Sequence, residues 1–183
     1  PAIILYIVVA LWIFTIVTRA AHKLLQGKPL QEEYLQKNLA RTMKNLVLVG
    51  FLEAIIIFGG LILLIVPGII FATWFAFSQI ITMLDGETPI NALKKSKKIV
   101  TGKFKKVLWR IVAGPVLVGF IYIIAYSIIA ITIALILGQD IVMMLEAEEP
   151  AAWLLVLDGI GDILLFPFMT LYFVALYQDT KMA

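Results

Sequence analysis

Five stretches of this chain are almost purely apolar and are long enough to cross a lipid bilayer as helices. Crossing the hydrocarbon core takes roughly 20 helical residues, and a stretch of about 16 still covers about 24 Å. This pattern predicts an all-α, polytopic transmembrane bundle with five spans in this chain. The predicted spans cover residues 1–18, 45–66, 69–84, 107–137 and 151–177.

Two amphipathic helices are predicted in the basic connections between these spans, over residues 29–44 and 89–106. Proline suits the first turn of a helix, and Pro29 and Pro89 open the two segments. In the second segment a stripe of residues recurs every three or four positions, with lysines on the other faces. That arrangement is typical of a helix lying in the interface plane of a membrane. The stripe consists of Ile90, Leu93, Ser96, Val100, Phe104 and Val107.

Breaks are predicted where glycine and proline interrupt these patterns. Pro67 and Gly68 are expected to form the turn between the second and third spans, because proline removes a backbone donor and glycine permits a tight turn. Gly86 is expected to end the third span, and Pro89 to begin the next helix. Gly102 is the expected bend between the second amphipathic helix and the fourth span.

All fifteen lysines and arginines fall on one side of the predicted bundle. Six lie between the first and second spans, eight follow the third span if Arg110 at the start of the fourth is included, and the last is Lys181. The connection after the second span and the acidic connection at 139–150 hold none. Cytoplasmic loops carry an excess of Lys and Arg. The basic loops and the C-terminus are therefore predicted to be cytoplasmic, with Pro1 on the outer side of a prokaryotic plasma (inner) membrane.

Composition supports a membrane protein and argues against several kinds of chemistry. The chain is 62% hydrophobic and 15% charged, whereas a soluble domain is about 25% charged. It has no cysteine and one histidine, His22, which argues against a zinc site and a thiol nucleophile. His22 is expected to be solvated. No catalytic set, phosphate loop or metal-ligand spacing is visible, so a non-enzymatic protein without cofactor or metal is expected.

The cation cluster of the second amphipathic helix is the first candidate site. Lysines beside an anionic leaflet contribute about 1 kcal/mol each to membrane attraction before screening, which favours contact with anionic lipid headgroups. The alternative is a topology anchor that faces water. Nucleic acid is not an expected partner, because the cluster abuts a membrane and has no interleaved aromatic side chains. The cluster comprises Lys94, Lys95, Lys97, Lys98, Lys103, Lys105, Lys106 and Arg110.

Three carboxylates within the apolar stretches are the other candidates, because an ionisable group inside a bilayer is costly and often functional. Glu53 either binds a cation or proton, pairs with Arg110 or a tyrosine, or is a protonated or hydrogen-bonded structural residue. Asp158 and Asp162 either share one face of a span as part of a cation path, or cap a break at the outer surface beside two glycines. The break is the favoured interpretation.

The order of these parts resembles one known family. A Gly27-Lys28-Pro29 step precedes a span that ends LILLIVPG, and then follow an aromatic cluster, DGETPINALKKS, TGKFKKV and a final Y-x-D. This resembles the membrane domain found fused to bacterial glycerophosphoryl diester phosphodiesterases, and its stand-alone relatives of unknown function. The resemblance covers about residues 20–183.

The resemblance implies a fold more than an activity. Members of this family generally have six spans, which implies a further span before Pro1, and the catalysis of the fused members belongs to a separate soluble barrel. The role implied for the matching residues is architectural. These residues are Pro67, Gly68, Pro89, Ala92, Leu93, Ser96, Thr101, Gly102 and Phe104.

Two functional hypotheses follow from these observations. The preferred one is a non-enzymatic module of the cell membrane that contacts anionic lipid and organises lipid, a membrane-protein partner or a second copy of itself. The alternative is a small-solute, ion or proton transporter that uses Glu53 with Asp158 or Asp162.

Overall fold

The chain is an all-α, multi-pass membrane protein, described by a computed structural model over residues 2–139 and 150–182. Five helical segments are long and apolar enough to span a membrane, which confirms the predicted five-span architecture. The acidic connection at 140–149 lies outside the described residues. The helices are α1 (Ala2–Leu25), α2 (Glu32–Gln36), α3 (Leu39–Leu63), α4 (Ile65–Phe75), α5 (Ser78–Asp85), α6 (Pro89–Thr101), α7 (Phe104–Ile136) and α8 (Ala152–Met182).

The chain divides into two compact units. Unit 1 comprises Pro1–Ile111 with Thr170–Ala183, and unit 2 comprises Val112–Met169. Unit 1 therefore contains α1 to α6, the first turns of α7 and the last turns of α8. Unit 2 contains the remaining parts of α7 and α8.

The core of unit 1 lies where α3, α4, α5 and α6 pack against one another. Phe77 and Tyr177 are fully buried there, with their ring centroids 5.7 Å apart. Many large apolar side chains on the outer faces are instead exposed, such as Ile62 at 85%. In water such a surface would be an association hazard, whereas on a membrane-spanning helix it is the face that contacts lipid. The buried apolar cluster comprises Val49, Phe77, Ile80, Ile81, Ala92, Leu93, Val100, Val107, Leu176 and Tyr177.

The turn between the second and third spans lies at Leu64, so the predicted turn at Pro67 and Gly68 is wrong. Leu64 has extended backbone, with φ −166° and ψ 145°, and α4 begins at Ile65. Pro67 is thus the third residue of α4. The first four N–H groups of a helix have no intrahelical acceptor, so a proline costs little there. Deeper in a helix its ring would collide with the carbonyl four residues earlier, and the chain therefore breaks ahead of it.

Gly68 serves close packing between α3 and α4 rather than a turn. A Cβ built on Gly68 would lie 2.4 Å from Cγ of Leu61, and one on Gly60 would lie 2.7 Å from Cδ2 of Phe71. Both distances are shorter than carbon atoms tolerate. Small residues on facing helices let their backbones approach closely, and these two glycines hold the second and third spans together in that way.

The predicted first amphipathic helix, 29–44, is interrupted. The short helix α2 ends at Gln36, and Asn38 adopts the left-handed conformation with φ 48°. Asparagine is one of the few residues that adopts this conformation readily. The following helix, α3, starts at Leu39 and runs directly into the second span, so the interfacial segment is much shorter than the sequence pattern indicates.

The third span is also interrupted, although 69–84 was predicted as one helix. The first half, α4, ends at Phe75, and the second half, α5, starts at Ser78. Ala76 and Phe77 lie between them, and the N–H of Ala76 bonds to the carbonyl of Thr73 at 3.4 Å. Neither proline nor glycine occurs between Ile69 and Asp85, so the usual signals of a break are absent.

Other predicted breaks are found where the sequence placed them. Gly86 follows α5 with a left-handed φ of 67°, and Pro89 is the first residue of α6. Thr88 occupies the N-cap position, but its side chain makes no capping hydrogen bond. Gly102 separates α6 from α7 with a φ of −75°, a conformation open to any residue.

The predicted break at Asp158 and Asp162 does not occur. The last helix, α8, is continuous from Ala152 to Met182 and passes through both aspartates and the glycines beside them. An isolated glycine costs a helix only about 1 kcal/mol, so the two glycines do not end it. Asp158 and Asp162 are both exposed side chains of unit 2.

Candidate functional site

Ser96 of the basic helix α6 forms hydrogen bonds with the backbone at the break in the third span. The Ser96 hydroxyl donates a hydrogen bond of 2.7 Å to the carbonyl of Trp74 and accepts one of 3.2 Å from the N–H of Phe77. Ser96 is fully buried. Unpaired backbone groups in the apolar part of a membrane cost several kcal/mol each. Ser96 therefore satisfies two groups that the break would otherwise leave open.

The apolar stripe of α6 is covered by protein. Ala92, Leu93, Ser96 and Val100 are buried, and α6 packs against α3, α4 and α5. Ile90, by contrast, is 59% exposed and lies outside this packed face. The amphipathic pattern of α6 thus reflects docking of its apolar face onto the bundle.

Glu53 lies beside the same break, in the middle part of α3. Its side chain is buried, at 8% exposure. The Ser78 hydroxyl contacts Oε1 of Glu53, and Nε2 of Gln79 donates to Oε2 at 2.8 Å. The predicted pairing with Arg110 is not found, since Arg110 bonds to Asp179. Both partners of Glu53 come from the first turn of α5, so the broken span supplies the polar groups that surround this carboxyl.

Five of the eight cations in the predicted cluster are engaged by other residues of unit 1. Lys95 pairs with Asp85 and lies 3.5 Å from Glu87, and the hydrogen bond to Asp85 raises the pKa of Lys95 above its ordinary value. The other engaged cations contact an aromatic ring, a backbone carbonyl or a carboxylate. They are Lys97 over the ring of Trp74 at 4.1 Å, Lys103 with the carbonyl of Thr180 at 2.6 Å, and Lys106 and Arg110 with Asp179.

The remaining three cations of the cluster face outward. Lys94, Lys98 and Lys105 are exposed, and none has an ion pair or hydrogen bond with another residue in the part of the chain that the structure describes. Lys94 and Lys98 are four residues apart and share a face of α6. Trp109 follows them in α7 and is 71% exposed. Aromatic residues of this kind favour the headgroup level of a membrane.

Arg19 is a structural residue that the sequence did not reveal. Its side chain is buried, at 5% exposure. Its Nε donates to the carbonyl of Met83 at 3.0 Å, one terminal nitrogen donates to the carbonyls of Leu35 and Lys37, and the other donates to the Thr42 hydroxyl. Carbonyls near helix C-termini lack intrahelical donors and favour a cation. Arg19 thereby joins α1 to the ends of α2 and α5.

His22 was expected to be solvated, and that prediction is wrong. Its Nε2 lies 2.9 Å from Nε2 of Gln26, and its Nδ1 lies 2.8 Å from Nε2 of Gln178. The ring therefore joins α1 to the C-terminal part of α8 within unit 1. Since a glutamine four residues from a histidine on a helix shares its face, the contact with Gln26 was accessible from the sequence. The contact with Gln178 was not.

Asp158 and Asp162 belong to unit 2, whereas Glu53 belongs to unit 1. Near the two aspartates, α7 and α8 form a groove of about 370 Å³ lined almost wholly by apolar side chains. The Tyr122 hydroxyl is buried there without a hydrogen-bond partner among the described residues. It lies against Gly161, where an added Cβ would be 2.1 Å from the Tyr122 oxygen.

Among the described residues no group of three or more His, Cys, Asp or Glu side chains is arranged to hold a metal ion. Comparison of the chain with protein-family profiles, with curated proteins and with solved structures gave no match.

Proposed function

We propose that this protein is a non-enzymatic module of the cell membrane whose basic helix α6 binds anionic lipid headgroups and so organises lipid or a membrane-protein partner. The observation that carries the proposal is that one face of α6 is buried in the bundle while lysines on its other face are exposed. One face docks the helix into the broken third span through Ser96, while Lys94 and Lys98 face outward without protein partners. A docked helix presents its cations at a fixed place, which a free interfacial peptide does not.

Three outward lysines are sufficient for a measurable preference. Each lysine near an anionic surface contributes about 1 kcal/mol, which corresponds to roughly a fivefold change in affinity. Screening by salt and crowding between the lysines reduce this value. The exposed indole of Trp109 adds an anchor at headgroup depth.

The proposal is tested by titrating the purified protein in mild detergent with phosphatidylglycerol and, separately, with phosphatidylcholine. Native mass spectrometry counts the lipid that remains bound. The expected result is tighter binding of phosphatidylglycerol, weakened at least tenfold in a variant with Lys94, Lys98 and Lys105 changed to Gln. Binding of phosphatidylcholine should be unchanged.

A matched control removes the same charge from exposed cations elsewhere on the basic side, by changing Lys28, Arg41 and Lys44 to Gln. The control should keep most of the preference for phosphatidylglycerol. If both variants lost the same affinity for phosphatidylglycerol, α6 would contribute no more to lipid binding than other exposed cations of the basic side. Unchanged binding in the α6 variant would remove lipid recognition from the proposal.

The proposed orientation places the basic connections and the C-terminus in the cytoplasm of a prokaryotic plasma membrane. The distribution of all fifteen cations supports it. Because the chain has no cysteine, single cysteines give a clean test in whole cells. Leu64→Cys should react with a membrane-impermeant maleimide, whereas Gln36→Cys should react only after the membrane is opened. The reverse pattern would invert the topology.

We also propose that the chain is related to the membrane domain of bacterial glycerophosphoryl diester phosphodiesterases. The support is the motif DGETPINALKKS, in which Pro89 starts a helix and Ala92, Leu93 and Ser96 are buried. Such positions fit the architectural role that the resemblance implies. A solved structure of that domain with a helix docked by its serine into a broken span would support the relationship, and an unbroken third span would weaken it.

Transport of a small solute, ion or proton is the second candidate function, and one observation favours it. Transporters bind their cargo where membrane helices are discontinuous near the bilayer midplane, and Glu53 lies beside such a break. Proton- or cation-driven flux in vesicles would be measured for the protein and for Glu53→Gln combined with Asp162→Asn. Flux that is equal in both would dismiss this candidate.

A further inference from the structure

The polar contacts around Glu53 form a small set between the second span and the break in the third span. Ser78 Oγ contacts two oxygen atoms: Oε1 of Glu53 and the carbonyl oxygen of Phe75, the latter at 2.5 Å. Oε2 of Glu53 accepts a hydrogen bond of 2.8 Å from Gln79. Glu53 lies in the second span, and the other three residues lie in the third.

The number of protons needed for these hydrogen bonds indicates whether Glu53 is protonated. A serine hydroxyl carries one proton and can donate it to one acceptor. A backbone carbonyl donates nothing, so if Ser78 donates to Phe75, a second proton must lie between Ser78 and Glu53. Conversely, if Ser78 donates to an ionised Glu53, two oxygens at 2.5 Å face each other without a proton. A protonated Oε1 on Glu53 satisfies both contacts, and Oε2 remains the acceptor for Gln79.

The charges of neighbouring elements do not supply a substitute for this proton. On the helices packed against α3, Arg19 binds backbone carbonyls and Thr42, Lys95 pairs with Asp85, and Lys97 lies over Trp74. Within the described part of the chain none of these cations contacts Glu53. An ionised carboxylate in such an environment is expensive.

Two effects favour the ionised form. Gln79 donates a hydrogen bond to Oε2 of Glu53, and the N-terminus of α5 has a positive end that favours an anion. Ser78 and Gln79 are its first residues, but Glu53 contacts their side chains and not their backbone N–H groups. The carbonyl of Phe75, at the negative end of α4, adjoins the same hydroxyl. The two helix ends therefore act in opposite directions, and the proton count decides.

We propose that Glu53 of the second span, with Ser78 and the Phe75 carbonyl at the break in the third span, forms a proton-binding site in which the proton is held on Oε1 of Glu53. This inference is independent of lipid binding at the lysines. It also stands whether or not the protein carries flux, because it concerns the resting occupancy of one carboxyl.

Infrared difference spectroscopy of the reconstituted protein at neutral pH tests the site. The expected result is the carbonyl band of a protonated, hydrogen-bonded carboxylic acid that shifts in heavy water and is absent from Glu53→Gln. A spectrum in which Glu53→Gln removes carboxylate bands instead would overturn the proposal.

Thermal unfolding supplies a second readout that does not depend on assigning a band. The glutamine amide can donate to Ser78 and accept from Gln79, as the protonated acid does, so Glu53→Gln should unfold within a few degrees of the parent. Glu53→Ala, which leaves Ser78 and Gln79 without the carboxyl they contact, should unfold at a clearly lower temperature. A Glu53→Gln protein as unstable as Glu53→Ala would indicate an ionised carboxylate and would overturn the proposal.

A metal cation could supply the same positive charge, and a further arm separates it from a proton. Unfolding is compared in sodium, potassium and choline chloride at equal ionic strength. Equal values are expected. Stabilisation by sodium that is lost in Glu53→Gln would assign the site to a metal ion and would overturn occupancy by a proton.

Discussion

The Ser96 hydroxyl of α6 donates a hydrogen bond to the carbonyl of Trp74, so a residue of the basic connection satisfies a backbone group of a membrane span. The same hydroxyl accepts the N–H of Phe77 on the other side of the break. Lys97 lies over the ring of Trp74 at 4.1 Å. Two neighbouring residues of α6 therefore hold one residue of α4, by its backbone and by its ring.

Changing Ser96 to Ala should destabilise the protein by about 1–3 kcal/mol, because it leaves a buried donor and a buried acceptor unpaired. Unfolding in bicelles, followed by circular dichroism, would measure the loss. Thr101→Ala is the matched control, since the Thr101 hydroxyl bonds to the exposed carbonyl of Lys97 on the same helix. If the two variants were equally stable, Ser96 would not be the group that completes the break.

Changing Gly68 to Ala should destabilise the pairing of α3 with α4 by about 1–3 kcal/mol, the usual cost of overpacking. Its added Cβ would collide with Leu61. Gly59 of α3 offers a control, because a Cβ there meets no atom within 4 Å. Gly59→Ala should be neutral or slightly stabilising, as helix propensity predicts. The opposite order of stabilities would disprove the close approach.

Changing Arg19 to Lys should destabilise unit 1 by about 1.5–3 kcal/mol, because lysine keeps the charge but cannot reach several acceptors at once with a planar fork. Arg41 is exposed, and Arg41→Lys should leave the unfolding temperature unchanged. Protection of amides in α2 from hydrogen exchange should fall in the Arg19 variant. Retained protection would show that Arg19 does not secure α2.

In unit 2, changing Tyr122 to Phe should be neutral or stabilising, because the buried hydroxyl has no partner among the described residues. Gly161→Ala should be destabilising, since its Cβ would meet the Tyr122 oxygen. Gly159→Ala, where a Cβ has open space, is the control. Combining Tyr122→Phe with Gly161→Ala should recover part of the loss, and a strictly additive double variant would exclude direct contact.

The ion pair between Lys95 and Asp85 should make stability depend on pH in the alkaline range. The pKa of Lys95 is raised in the folded protein, so its contribution is complete below the ordinary lysine pKa and is lost as pH rises through the folded pKa. Since Lys95 is 35% exposed, the contribution is below about 1 kcal/mol. Asp85→Asn should lower stability at pH 8 and converge with the parent at higher pH.

The sequence predicted most elements because their causes are local. Apolar length predicted the five spans, and the Gly86 to Pro89 signals predicted where α5 ends and α6 begins. The break at Ala76 and Phe77 could not be predicted in the same way, because no residue there resists a helix. It is compensated by Ser96, about twenty residues further along the chain.

The candidate sites show the same division between local and distant causes. An intramembrane carboxylate at Glu53 was evident from the sequence, but its partners, Ser78 and Gln79, come from another span. Arg19 was counted as one more cytoplasmic cation, because sequence does not distinguish a buried arginine from a solvated one. The turn lies ahead of Pro67 because proline ends one helix by occupying the first turn of the next.

The dependence of the third span on Ser96 has a consequence for the order in which the protein is made. Trp74 and Phe77 leave the ribosome before Ser96, so the third span is complete in length while two of its backbone groups still lack their native partner. Its final conformation is reached when the basic segment behind it has been synthesised and has docked. A nascent chain truncated before Ser96 should therefore contain a third span that is inserted but has not reached its final conformation. That span should be cleaved by proteases that the finished protein resists.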